Sequence, residues 1–221
     1  MKEQSQIKTR YRQNRTDRIV QGDIFEDVPV PLWDIDADEP DEIIVDKKKS
    51  VNLSFAIVMS QNCDLEQDFE NWQKRKRNLT ISRDKLLPSI LVCVAYPSEK
   101  LMEGKHLGPD ITMVNWKEQK LSNHLDHNNH ARFHFLQEST ADDKKNEIFI
   151  PSLIVDFKHY HALPIKVAYK LYTSERYLGS INELFREELS HRFSFYLGRI
   201  GLPPLEKCPP CKGEEEIKIK S

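Results

Sequence analysis

The sequence predicts an α+β protein: a small antiparallel, barrel-like β core followed by a C-terminal helical segment. Three observations predict it. Short apolar runs of strand length recur between residues 19 and 164. The one stretch with sustained helical spacing, Asn182 to Ile200, comes after them. No strand–helix alternation of the parallel-sheet kind separates the runs.

Each element has a local reason. Residues 1–18 read as a basic arm, with Lys8, Arg10, Arg12, Arg15 and Arg18 against the single acid Asp17 over 8–18; such charge runs are usually solvated. The β-rich domain is expected over 19–164. Gly22-Asp23 is a turn signal, and a strand follows from Ile24. Pro29 and Pro31 place it at a sheet edge, because proline donates nothing to a ladder. The acids from Asp34 to Asp46 lack the turn glycine and terminal glutamate of a calcium loop, and they read as a solvated loop. Leu53–Met59 (LSFAIVM) and Ser89–Tyr96 (SILVCVAY) are expected as buried strands, with Cys93 a core thiol. Residues 69–85 are polar and basic, and 97–130 are irregular, broken by Gly104, Gly108 and Pro109. Extended sequence returns at Arg132–Leu136, Ile148–Phe157 and His159–Leu163.

A helical segment packed on the sheet is expected over 165–205. Within Asn182–Ile200, apolar residues fall at 185, 189, 193, 196/197 and 200. Ser180 or Asn182 can cap its start, and Gly201 with Pro203-Pro204 ends it. Residues 206–221 form a charged tail containing Cys208-Pro-Pro-Cys211.

Composition narrows the function classes. Charged residues make up 31% of the 221-residue chain, yet the net charge is only −2. That argues against a uniformly basic nucleic-acid binder and leaves room for a local basic patch. No run approaches the roughly 18 apolar residues of a membrane helix, and the first residues carry no apolar leader. The cytoplasm is the expected compartment, with no membrane partner. Four cysteines are too few for a disulfide-built scaffold of this length.

Gly22-Asp23-Ile24-Phe25, a long loop, and Phe55-Ala56-Ile57-Val58-Met59-Ser60 together resemble the start of the PemK/MazF-like toxins. The resemblance covers about a quarter of the chain. It implies an SH3-like barrel, an RNA-cutting activity, and a site role for the hydroxyl of Ser60. The family's Arg-Pro before the second strand is replaced by Leu53-Ser54-Phe55, so its catalytic arginine has no counterpart there. The Ser-Gln-x-Cys-Asp element, Val-Asp-Phe and the Arg-x-Gly-Leu-Pro ending also look like a group of bacterial proteins, which implies no chemistry.

Four places hold residue types that do chemistry. In AIVMSQNCDLEQD, Ser60, Cys63 and Asp64 follow a strand directly. Asp64 works against a low-pKa thiol at Cys63, and it can instead cap a helix starting at Leu65 with Gln67 as the reciprocal partner. Four of the eight histidines lie at 124, 127, 130 and 134, and two more at 159 and 161. His134 or His159 as acid or base beside Arg132 would suit phosphodiester cleavage. Asp156 falls on the opposite parity to His159 and His161 if the strand is regular. Arg10, Arg12 and Arg15 form one basic run; Lys74, Arg75, Lys76 and Arg77 beside Trp72 form another, suited to backbone contact and base stacking. Cys208 and Cys211 supply half of a tetrahedral zinc site, its missing partners histidines, Cys63 or a second chain, or else they form a redox pair. His124, His127 and His130, spaced by three, are a separate metal candidate in a stretch whose composition reads as a polar loop.

The expected function is RNA binding or ribonuclease-like cleavage, as in a toxin or defence component. The alternatives are a non-enzymatic module docking on a protein partner or a second copy through its arms and the 182–200 helix, and a hydrolase using Cys63.

Overall fold

The computed structural model describes residues 9–13, 16–31, 34–35, 43–44, 50–107, 128–145 and 147–199. These form nine strands. Seven make one antiparallel sheet: β1 (Tyr11–Arg12), β2 (Asp23–Pro31), β5 (Ser50–Val58), β6 (Ser89–Pro97), β7 (Phe133–Leu136), β8 (Leu153–Pro164) and β9 (Tyr177–Ile181), in the order β1-β9-β2-β5-β6-β8-β7. The other two, β3 (Asp34–Ile35) and β4 (Ile43–Ile44), pair with each other. The helices are α1 (Asn62–Lys76), α2 (Ser98–Met102), α3 (Ala141–Lys145), α4 (Ile165–Tyr172) and α5 (Glu183–Leu197).

The α+β class stands, but the sheet is open. Its ends are the two-residue β1 and the four-residue β7, which do not pair with each other, so no barrel closes among the described residues. Short edge strands limit the unpaired backbone that a sheet offers to other chains. β2 is internal at Asp23–Phe25, where β9 flanks it, while its half with Pro29 and Pro31 has β5 alone as a neighbour. The prolines thus occupy the edge-like half, as their missing donor requires.

Alternation sorts the apolar side chains onto two faces. Ala56, Val58, Ile90, Val92, Val94 and Tyr96 point to one face, which α1, α2 and α4 cover through Leu65, Leu101, Ile165, Ala168 and Leu171. Ile57, Met59, Cys93, Ala95, Val155 and Phe157 point to the other, covered by Ile148, Ile150 and α5 through Leu189 and Phe193. Burial on both faces explains the near-continuous apolar run of β6. Each buried Leu or Phe contributes about 1.5–3 kcal/mol.

Helix α1 occupies sequence that reads as polar and basic. It buries only Leu65, Asp68 and Asn71, two of them polar. Asp68 Oδ1 accepts from the Leu87 N–H at 2.8 Å, and Asn71 Oδ1 from Ser82 N–H at 3.2 Å. These bonds stitch the 77–88 connection to the helix. The helix starts after Gln61, so Asp64 lies in its first turn and is not its cap. There it still opposes the positive helix end, as Lys74, Arg75 and Lys76 oppose the negative one.

Gly22 opens β2 with φ +87°, donating to Val58 O at 2.8 Å and accepting from Ile181 N–H at 2.9 Å. A Cβ there would sit 3.2–3.3 Å from the Arg186 and Ile181 side chains. Left-handed backbone costs an L-residue about 1–2 kcal/mol. Gly22→Ala is therefore expected to lower unfolding free energy by at least about that amount, read as a shifted urea midpoint at unchanged slope.

Candidate active site

The site is built on an irregularity in β8. Val94 pairs with Asp156 and Cys93 with Tyr160, so Phe157, Lys158 and His159 have no partner on β6. The cause is local. Asp156 Oδ1 accepts from the Lys158 N–H at 3.0 Å, an Asx turn that competes with the ladder. Three inserted residues reverse the strand's parity, and His159 turns to the side that Asp156 occupies.

Asp156 is fully buried. Arg132, just before β7, clamps it in a two-toothed pair, Nε to Oδ1 at 2.7 Å and Nη2 to Oδ2 at 2.6 Å. The same pair raises the Arg132 guanidinium above its already high range. His159 Nδ1 lies 3.0 Å from Asp156 Oδ2 and 3.0 Å from the Tyr96 hydroxyl. With the carboxylate opposite it, Nδ1 carries the ring proton and donates it, leaving the lone pair on Nε2. Among the described residues no side chain engages Nε2, and the His159 side chain keeps 27% of its exposure. Burial pulls the His159 pKa below its ordinary 6.5; Asp156 opposes the shift, and Arg132, Lys158 and His161 add to it. His106 stacks edge-on against Tyr96 at 4.8 Å. Burial lowers its pKa as well and pushes that of the Tyr96 hydroxyl up.

Of the residues the sequence singles out, Arg132 and His159 meet here. His134 does not. It projects from β7 toward the face covered by α5, where Arg192 Nη1 donates to its Nδ1 at 2.8 Å and its ring lies 6.3 Å from Phe157. Burial, then Arg192, brings its pKa to about 3, so it is a neutral core histidine and not an acid or base of the site.

The Ser60–Cys63–Asp64 junction is a separate place. Ser60 Oγ accepts from the Leu91 N–H at 2.8 Å, pinning the end of β5 to β6. Leu91 and Tyr96 are five residues apart on β6, about 16 Å of strand. Cys63 is exposed, its Sγ near Gln61 Oε1 (3.6 Å) and Asp64 Oδ1 (3.7 Å), with no basic group in that pair of contacts. The geometry gives Ser60 a backbone-anchoring role, and the two contacts described for the Cys63 thiol, to Gln61 and Asp64, supply no activating base.

The N-terminal basic residues are docked and not free. Arg10 lies over the Phe185 ring at 5.0 Å, and Arg12 approaches Glu183 at 3.7 Å beside the β1–β9 pairing. Arg15 lies outside the described residues. Lys74, Arg75, Lys76 and Arg77 are exposed at the end of α1, with Arg75 over Trp72 at 5.5 Å. Cys208, Cys211, His124 and His127 lie outside the described residues; among those described, no group of three His, Cys, Asp or Glu side chains is placed to hold a metal. His130 instead accepts at Nδ1 from the Arg132 and Phe133 N–H groups, at 3.2 and 3.3 Å.

Sequence reasoning missed Tyr96 and His106 and set Asp156 apart from His159. The available signal was the Asp-Phe-Lys-His stretch, since an Asp that accepts from the N–H two residues on breaks a strand. In comparison with known proteins, the chain matches no family model and no curated relative.

Two outcomes follow from this geometry. Arg132→Ala leaves the buried Asp156 carboxylate uncompensated and is expected to cost about 3–5 kcal/mol in chemical denaturation. Replacing both partners with apolar residues should restore much of that loss. His134 has a folded pKa below its unfolded 6.5, so its contribution is complete above about pH 6.5 and is lost as the pH falls toward 3. His134→Gln, which keeps an acceptor for Arg192, should therefore flatten the stability–pH curve across that window. An unchanged slope would contradict the assignment.

Proposed function

We propose that the protein binds single-stranded RNA and cleaves its backbone, with His159 as the general base. The observation that carries this reading is the His159 ring, held at Nδ1 by Asp156 and, among the described residues, open at Nε2, beside a guanidinium whose Nε and Nη2 are engaged by Asp156. Fixed tautomer, facing lone pair and a pKa below neutrality are what a base needs at pH 7. Arg132 uses Nε and Nη2 on Asp156, which leaves Nη1 for a phosphate oxygen.

In the proposed step, Nε2 takes the proton of a ribose 2′-hydroxyl as that oxygen bonds to the adjacent phosphorus. The bond from phosphorus to the 5′-oxygen breaks. The departing oxygen takes a proton from water, and the histidinium neutralises the resulting hydroxide. Arg132 stabilises the charge that builds on the phosphoryl oxygens. The exposed basic end of α1, with Trp72 beneath Arg75, supports backbone contact and stacking along a single strand.

A second reading, docking on a protein partner, draws on α5, which leaves Leu184, Phe195 and Leu197 57%, 66% and 51% exposed. RNA cleavage separates the two. Wild-type protein is expected to cut single-stranded RNA, and His159→Ala to slow cleavage about 10²–10⁴-fold. The rate should fall as pH drops through the His159 pKa, below 6.5, because protonation removes the base. RNA left intact by the wild type at neutral pH would remove the first reading.

A further inference from the structure

We infer that Arg192, on the far face of the sheet, is the positioning residue that holds Arg132 on Asp156. The inference rests on the acid–base reading of the site only where it concerns rate; the positioning itself is independent of substrate.

Arg192 leaves the middle of α5 and reaches the turn that precedes β7. Its Nη2 donates to the carbonyls of His130 at 2.6 Å and Phe133 at 3.0 Å. Its Nη1 donates to His134 Nδ1 at 2.8 Å. The two carbonyls bracket Arg132. The backbone of Arg132 is then held from two further sides: its N–H by the His130 ring at 3.2 Å and its carbonyl by the Phe157 N–H at 3.0 Å. The guanidinium of Arg132 leaves this clamped backbone and meets Asp156 through the sheet's other side.

Charge makes the arrangement specific. Burial pulls the Arg192 pKa below its ordinary value, and among the described residues Arg192 makes no carboxylate ion pair; Glu188, one turn earlier on α5, opposes the shift. Its donors go to two carbonyls and an imidazole, and its plane lies 5.9 Å from the Phe157 ring. A cation spent on the turn in this way fixes that turn, and a planar fork does so where a lysine's point charge does not.

The groups that face His159 are Asp156, Arg132, Lys158, His161, Tyr96 and His106. Arg132 lowers the His159 pKa and Asp156 raises it. When the turn loosens and Arg132 leaves Asp156, the lowering influence is lost and the raising one is uncompensated. The His159 titration must therefore move up.

The test is an NMR titration of the His159 ring in the full chain, together with single-turnover cleavage of single-stranded RNA. In Arg192→Met, the His159 midpoint is expected to rise by a measurable shift, the Arg132 Nε–H signal to lose its hydrogen-bonded position, and cleavage to fall about 10²-fold at saturating RNA. Arg192→Lys is expected to behave like Arg192→Met. Leu189→Ala, a buried α5 residue with no hydrogen-bonding side chain, serves as the stability control and should leave the His159 midpoint in place. If Arg192→Met does not fold, Arg192→Gln, which keeps a donor, should show a smaller shift in the same direction. An unmoved His159 midpoint with the Arg132 Nε–H signal intact would overturn the inference. A shifted midpoint in a protein that leaves RNA intact would uphold the positioning and discard the cleavage reading.

Discussion

A carboxylate taken out of water must find compensation within the protein, and the surroundings of Asp156 are organised by that requirement. The side chain is fully buried beneath a sheet whose two faces are both covered. Its oxygens receive the Arg132 fork, the Lys158 N–H and the His159 Nδ1. Together these meet its hydrogen-bonding capacity, which is the condition under which a buried charge is tolerated. The Lys158 bond imposes the bulge, the bulge turns His159, and the Arg132 fork fixes where β7 begins. One desolvated group thereby sets the register of the last two strands of the sheet.

Much of the architecture was legible because burial writes a pattern. The runs LSFAIVM and SILVCVAY became the central strands β5 and β6, and the spacing 185, 189, 193 became α5. Those residues face apolar neighbours, and their periods follow from side-chain direction alone. Helix α1 was hidden for the same reason. It buries Leu65 with Asp68 and Asn71, so its inner face carries one apolar residue, and hydrophobic periodicity has nothing to register. The barrel-like expectation came from the succession of short strands, and its SH3-like form from a resemblance over the first of them. What decides closure is whether β1 and β7 meet, a long-range relation that no local pattern encodes.

The site was legible in part, for a more specific reason. Arg132 and His159 stood out by chemistry, but strand parity separated His159 from Asp156, and parity assumes a regular ladder. A side chain bonded to its own backbone breaks that assumption. His134 shows the reverse case. Its chemistry matched the proposed role, but within β7 it points to the face covered by α5, where burial and Arg192 keep it neutral, whereas Arg132 precedes the strand and turns to Asp156.

The same sheet that separates His134 from the site also connects the two faces. Adjacent residues of a strand point in opposite directions, so a group on one face that fixes the backbone fixes its neighbours on the other. Arg192 grips the carbonyls on either side of Arg132, and the Phe157 N–H holds the Arg132 carbonyl while the Phe157 ring packs against Phe193 of α5. The helix on one face therefore acts on the carboxylate of the other through the segment His130–Phe133, which leads into the edge strand, and one bulge. In a well-packed sheet such a path needs no moving part: the backbone is common to both faces, and its placement on one side is its placement on the other.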